Sequence, residues 1–318
     1  MVCRSFNALV VIALAVVPGI VFPQSYPGRP VKLIVPFPPG GATDIVGRLV
    51  AGKMQEVWGE PVIVENKPGA GTVVGTDAVA KAAPDGYTLG VVVTAHVINP
   101  SLRSNMPYDT LKDLAAVTQV SAQQLVIAAN PSLPANNMAE LIELARKRPG
   151  ELSYATPGSG TAMHLSIELL KTATGINLVH VPYKGGAPAQ QDVIGGRVPI
   201  LLDVLYAVMP LIDAGKIKVI ALLGPERVSK YPVVAETVPG VSAISMVGIV
   251  APAATPSEVV RKISLDVSRA VRNSDLTGRM KHLGMEPVGS TPQEFDALIR
   301  AEMAKWAKVV KASGAKAD

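Results

Sequence analysis

The stretch 31–58, VKLIVPFPPGGATDIVGRLVAGKMQEVW, constrains the fold more than any other part of the chain. Residues 31–35 are apolar and largely β-branched, as a buried strand should be. Pro36, Phe37, Pro38, Pro39, Gly40 and Gly41 can neither continue a strand nor start a helix, so the chain must turn. Beyond the turn, Ile45, Val46, Leu49, Val50, Met54, Val57 and Trp58 form the stripe of a helix buried along one face. Ala42 or Thr43 opens that helix, and Asp44 stands in its first turn, where negative charge is favoured. The product is a helix N-terminus whose free amides look past a strand end, a corner able to hold an anion without a basic side chain. Taken alone, it reads first as an ordinary strand-to-helix connection, and most such turns bind nothing.

The rest of the chain repeats the alternation. Strand signals fall at 61–66, 87–94, 125–129, 153–156, 178–182, 198–204, 216–223 and 246–250. Between them, helical periodicity runs over about 74–82, from a capping box at Asn137 to Glu140, and from Thr161 through Ala162, Leu165 and Leu169. Two openings near the end, Thr255-Pro256-Ser257-Glu258 and Thr291-Pro292-Gln293-Glu294, each promise an N-cap, a first-position proline and a third-position glutamate. Such an order predicts an α/β protein with mostly parallel sheets. Residues 153–170, SYATPGSGTAMHLSIELL, repeat the opening corner: strand, proline-glycine turn, amphipathic helix. Two helix ends converging on one small anion would make a site where one alone would not.

With 318 residues the chain has room for two domains. Residues 1–25 carry one charge, Arg4, and an apolar run at 8–17 too short to span a bilayer, which predicts a secretory leader cleaved near 22–26. The single cysteine, Cys3, precedes that run, so the exported chain has none and relies on its core in an oxidising compartment. The formal charge of +5 is dispersed, and no basic face with interleaved aromatics marks a nucleic-acid site.

Enzyme motifs fail on spacing. Ser159 lies in PGSGT, not in a G-x-S-x-G elbow, and residues 69–75 read G-x-G-x-x-x-G, one residue longer than the dinucleotide fingerprint. Four widely spaced histidines and no cysteine in the exported chain predict no metal site, and no motif calls for a cofactor. Several residues carry two readings. Asp44 is equally a helix-start acid and a direct contact, and His96 equally a packed strand-end residue. His164 and Glu168, one turn apart, are a surface or helix-start pair unless His164's place in the turn gives it a ligand-side or corner-stabilising role. Tyr183 and Lys184 beside Gly185-Gly186 form a rigid turn, with Tyr183 the better candidate.

An ordered set of short motifs extends from residue 26 to the C-terminus: YPxRPV at 26–31, VPFxPGGxxD at 35–44, VENKPGAG at 64–71, DGYTL at 85–89 and INP at 98–100. GSG at 158–160 with His164-Leu165, VPYKG at 181–185, AGK at 214–216 and PVG at 287–289 complete it. In this order they resemble the periplasmic solute-binding proteins of the tripartite tricarboxylate transporter type, the Bug receptors.

The resemblance implies a type II periplasmic-binding fold, in which two α/β lobes close on a small organic acid. Residues 26–125 plus 249–318 would form one lobe and 126–248 the other. It also implies capture of the ligand carboxylate by backbone amides and bridging waters, and delivery to the permease subunits of a membrane transporter by a monomeric protein. Carried over by position, Phe37, Pro38, Gly40, Gly41, Thr43 and Asp44 form the first corner, and Gly158, Ser159, Gly160, Thr161 and His164 the second. Thr94, His96, Tyr183 and Asp203 approach the ligand's far side. Ala95 stands where relatives carry a hydroxyl residue, and Val204 where an asparagine is common, so the far side should be more apolar. The ligand class is then a mono- or dicarboxylate, with aromatic acids and amino acids among the candidates. Two other functions fit the same cleft: a periplasmic enzyme acting on a small organic acid, and a ligand receptor for a signalling partner.

Overall fold

The computed structural model describes residues 26–225, 227, 230–282 and 285–315. The leader read at 1–25, with its cleavage site, lies outside the described residues. β1 (Val31–Val35) turns into α1 (Ala42–Trp58), followed by β2 (Val62–Asn66), α2 (Val73–Ala80), β3 (Thr88–Val93) and α3 (Ala95–Leu102). The long β4 (Leu114–Ala129) leads to α4 (Met138–Lys147), β5 (Ser153–Thr156), α5 (Ala162–Thr174), β6 (Val179–Pro182) and α6 (Gly186–Ile194). Then come β7 (Ile200–Val204), α7 (Leu205–Asp213), β8 (Lys218–Leu222) and β9 (Ile244–Pro252). The last segment holds α8 (Ser257–Val271), α9 (Ser274–His282), β10 (Met285–Pro287) and α10 (Pro292–Ser313).

The strands join in the order β2-β1-β3-β9-β4-β7-β5-β6, with β8 and β10 also paired to β4. The sheet is mixed, which corrects the expectation of mostly parallel strands. β1 is parallel to β2 and β3, and β5 to β6 and β7. Every pair that includes β4 or β9 is antiparallel. Alternation dictates parallel pairing only within units closed by a crossover helix. β4 and β9 instead join one such group to the other. β4 pairs with β9 over residues 114–124 and with β7 over 125–129.

Only the second of those stretches carried a strand signal in the sequence. The first is rich in small and polar residues, among them buried Thr118, Gln119, Ser121 and Gln123. Long-range bonds satisfy part of this set: Thr118 Oγ1 donates to the Ser290 carbonyl at 2.7 Å, and the Gln119 amide donates to Ser290 Oγ at 2.8 Å. α3, α7, α9 and β10 also escaped the sequence reading; α3 and α7 each contain a proline, which breaks the periodic signal.

Three apolar clusters hold the layers. One packs α1 and α8 on β1, β3 and β9; another packs α6, α7 and β8 around β5 and β7. The largest runs through both groups, with Ile98, Leu125, Tyr154, Leu165, Phe295 and Trp306 all buried in it. α10 packs against both α3 and α5, and its Phe295 ring lies on Gly248 of β9, where any Cβ would overlap it.

The two threonine-proline openings behave differently. Thr291 forms the full capping box with Glu294. Thr255 does not cap: Pro256 keeps an extended ψ of 136° and becomes the N-cap itself, so α8 starts one residue later than the motif implies. At α4, Asn137 caps the Glu140 amide as expected, but Glu140 Oε2 reaches the Asn136 amide in place of Asn137's.

Candidate functional site

At the first corner Gly40 has φ +81°, which glycine adopts without strain, and Gly41 is the N-cap of α1. Gly41 supplies no side-chain oxygen, so the first amides of α1 have no side-chain cap. Asp44 is buried and turned onto the corner. Its Oδ2 accepts from the Gly40 amide and from Arg48 Nε, each at 2.8 Å, and its Oδ1 accepts from Asn66 Nδ2 at 2.8 Å. Burial opposes ionisation, but the bonds from Arg48, Asn66 and Gly40 outweigh it and hold the carboxyl below the usual carboxylate range. Asn66 also donates to the Phe37 carbonyl at 2.9 Å, tying β2 to the turn. Pro38, Gly40 and Gly41 remain exposed, while Phe37 and Thr43 are half-buried.

The second corner is braced from within. Thr161, the N-cap of α5, accepts the His164 amide at 3.2 Å and donates to the Gly158 carbonyl at 2.8 Å. The Gly160 amide donates to His164 Nδ1 at 3.1 Å. Gly160 has φ +71° and lies on Leu102 of α3, where a Cβ would collide with the leucine side chain. Gly158 and Ser159 are partly exposed.

Of the four far-side candidates, Tyr183 touches this corner: its amide donates to the Thr156 carbonyl at 3.0 Å, and its own carbonyl would stand 3.3 Å from a Cβ on Gly158. Its hydroxyl donates to Asp192 of α6 at 2.7 Å, and burial, then Asp192, pushes it up to about 12. Asp203, at the end of β7, lies under the first turn of α6; a Cβ on Gly186 would meet its Oδ2 at 2.9 Å. It accepts from Gln190 Nε2 at 2.9 Å and from the Val204 amide at 2.8 Å, and burial raises it to about 6. Thr94 Oγ1 accepts the Met246 amide at 3.0 Å, joining β3 to β9. His96 is 1% exposed, neither ring nitrogen has a hydrogen-bond partner among the described residues, and burial lowers it to about 4.

Contacts link the two corners along one side. Pro36 packs on Gly75 of α2, Asn99 of α3 donates to the Gly71 carbonyl at 2.9 Å, and Leu102 of α3 covers Gly160. A surface groove of about 330 Å³ between α1 and α9, lined by Ile45, Arg48, Leu49 and Arg279 among others, contains none of the expected residues. Among the described residues no three His, Cys, Asp or Glu side chains cluster as metal ligands would.

Sequence reasoning passed over Arg48, Thr156, His180, Gln190 and Tyr206. Arg48 follows Asp44 at i+4 and was legible as a helical ion pair. Tyr206 is half-buried, and its buried hydroxyl, which has no hydrogen-bond partner among the described residues, is raised by burial and by nearby Asp203; its place three residues after Asp203 was the only signal.

Residues 46–315 match the model of the tripartite tricarboxylate transporter family receptor. The protein BugT of Bordetella pertussis is 35% identical over 311 residues, 96% of this chain and 95% of its own length. The solved structure of R. palustris Rpa4515 with adipate matches at TM-score 0.84 and 36% identity, covering 92% of this chain and 99% of that one. MatC from Rhodopseudomonas palustris with bound malate matches at TM-score 0.80 and 31% identity, covering 90% and 100%.

Proposed function

The chain belongs to the tripartite tricarboxylate transporter receptor family, and on that premise we propose that it captures a small carboxylate-bearing acid in the periplasm and delivers it to the membrane transporter of that system. The observation that carries this reading is the first corner: an uncapped helix N-terminus behind exposed Gly40 and Gly41, with the nearby carboxylate of Asp44 already occupied by Gly40, Arg48 and Asn66. Such an end offers amide hydrogens and a positive dipole to an anion.

In this reading residues 26–125 plus 249–318 and residues 126–248 are the two lobes. They close by hinge motion about β4 and β9, and a ligand carboxylate bridges the starts of α1 and α5. Thr94, His96, Tyr183 and Asp203 line the far side, with Ala95 and Val204 making it more apolar. Relatives solved with adipate and malate support a dicarboxylate. The leader exports the chain, which acts as a monomer without turning over its ligand.

Calorimetry and thermal unfolding with adipate, malate and matched monocarboxylates test the proposal. One-to-one binding of the intact acid is expected, stabilising the protein by about 2.7 kcal/mol at a hundredfold excess over Kd. Consumption of the acid, or indifference to every carboxylate, would overturn it.

A further inference from the structure

β5 and β6 are parallel with Tyr154 opposite His180, and their rings stack with centroids 4.9 Å apart. His164 of α5 stacks on His180 at 3.9 Å with the planes 7° from parallel. Each imidazole is bonded toward a different glycine of the second corner. His180 Nε2 shares a 2.7 Å hydrogen bond with Thr156 Oγ1, which accepts the Gly158 amide at 3.3 Å. His164 Nδ1 accepts the Gly160 amide at 3.1 Å.

The second bond fixes a protonation state. An amide hydrogen can be accepted only by a bare ring nitrogen, so the neutral His164 carries its proton on Nε2. That atom lies 3.9 Å from Glu168 Oε1, which accepts from Tyr154 Oη and Lys171 Nζ, each at 2.8 Å. Tyr154 from β5, Glu168 and Lys171 from α5 and His180 from β6 are among the titratable groups placed around His164. Burial, then His164 and Lys171, lowers His180 to about 3.

We propose that His180 is a positioning residue for the second corner: through Thr156 and its stack on His164 it holds the Gly158 and Gly160 amides in place, and a proton on His164 Nδ1 releases the Gly160 amide. This rests on the reading of the corner as half of the carboxylate site. Between about pH 8 and pH 6.5 a dicarboxylate held only by amides keeps both charges and its affinity, so a loss of affinity in that range reports the stack.

The test is NMR on the full chain with ¹⁵N-labelled glycine and histidine, together with adipate titration. At about pH 8 the His164 ring should show a bare Nδ1; on acidification the Gly160 amide should move with the His164 midpoint, and the Kd for adipate should rise about fivefold or more. His180→Phe keeps a ring in the stack but loses the bond to Thr156. It should shift the Gly158 amide and raise the Kd about tenfold, and His180→Gln, whose amide reaches the Nε2 position, should recover most of that. A proton on Nδ1 at the start, a His164 that takes none before the protein unfolds, a Gly160 amide that ignores the titration, or a silent His180→Phe each overturns the inference. The NMR arm needs no ligand, so indifference of the wild type to every carboxylate counts against the carboxylate reading alone.

Discussion

Asp44 Oδ2 accepts the amide hydrogen of Gly40 at 2.8 Å, so an acid in the first turn of α1 reaches back over its own helix end to hold the glycine that precedes it. Arg48 and Asn66 complete the grip. Asp44→Ala removes the acceptor of these three bonds and should destabilise the protein by about 1–2 kcal/mol in urea titration. Because the folded carboxyl is held low, its contribution is full above the ordinary value near 4 and is lost as pH falls through the lower folded value. The variant should therefore unfold less steeply with acid than the wild type.

Gly160 and Gly40 both have positive φ but different surroundings: Leu102 fills the space at Gly160, and nothing lies within 4 Å of a Cβ at Gly40. Gly40→Ala should cost about 1–2 kcal/mol from backbone strain alone. Gly160→Ala should cost more, and Leu102→Ala in the same chain should recover part of the excess, read as a double-mutant cycle of unfolding free energies.

Asp203 is buried beside neutral donors, Gln190 and the Val204 amide, and its folded value of about 6 exceeds the ordinary carboxylate value. The folded form therefore binds its proton more tightly. The stability this gives is complete below about pH 4 and is lost as pH rises through about 6. Asp203→Asn, with the Gln190 amide turned to accept, should gain about 2–3 kcal/mol at pH ~7.5 and nothing at pH ~4. A thermal unfolding series against pH checks both ends.

His96 carries the opposite sign. Its folded value of about 4 lies below that of an exposed histidine, so stability is full above about pH 6.5 and falls as pH drops toward 4. His96→Leu removes two unpartnered nitrogens and should be more stable than the wild type at pH ~5 by about 2 kcal/mol. If its advantage were the same at every pH, burial of a neutral ring would not be the cause.

Lys184 is exposed beside the second corner. If backbone amides capture the acid, Lys184→Ala should change the adipate Kd by less than about threefold, whereas Gly40→Pro should raise it by more than about thirtyfold with the far-ultraviolet dichroism retained. Equal damage from the two would exclude amide capture.

How far the sequence could be read depended on the range of the interactions. The β1–α1 and β5–α5 corners were legible because a strand, a glycine turn and a helix start are written in consecutive residues. The Thr291 capping box was legible for the same reason. Thr255 shows the limit of that reasoning: its motif is the same, but the extended backbone at Pro256 moves the helix start past it. The first part of β4 was hidden because it is written in buried polar residues, of which Thr118 and the Gln119 amide find their partner at Ser290, far along the chain.

The sequence by itself determined the α/β alternation, the two corners and the family to which the chain belongs, since each rests on local periodicity or on ordered motifs. Only the tertiary structure decided that the sheet is mixed, that Leu102 closes on Gly160, and that His180 lies flat against His164. Those pairings depend on strand register and helix packing between distant segments. No periodicity within one segment encodes which residue of another it will meet.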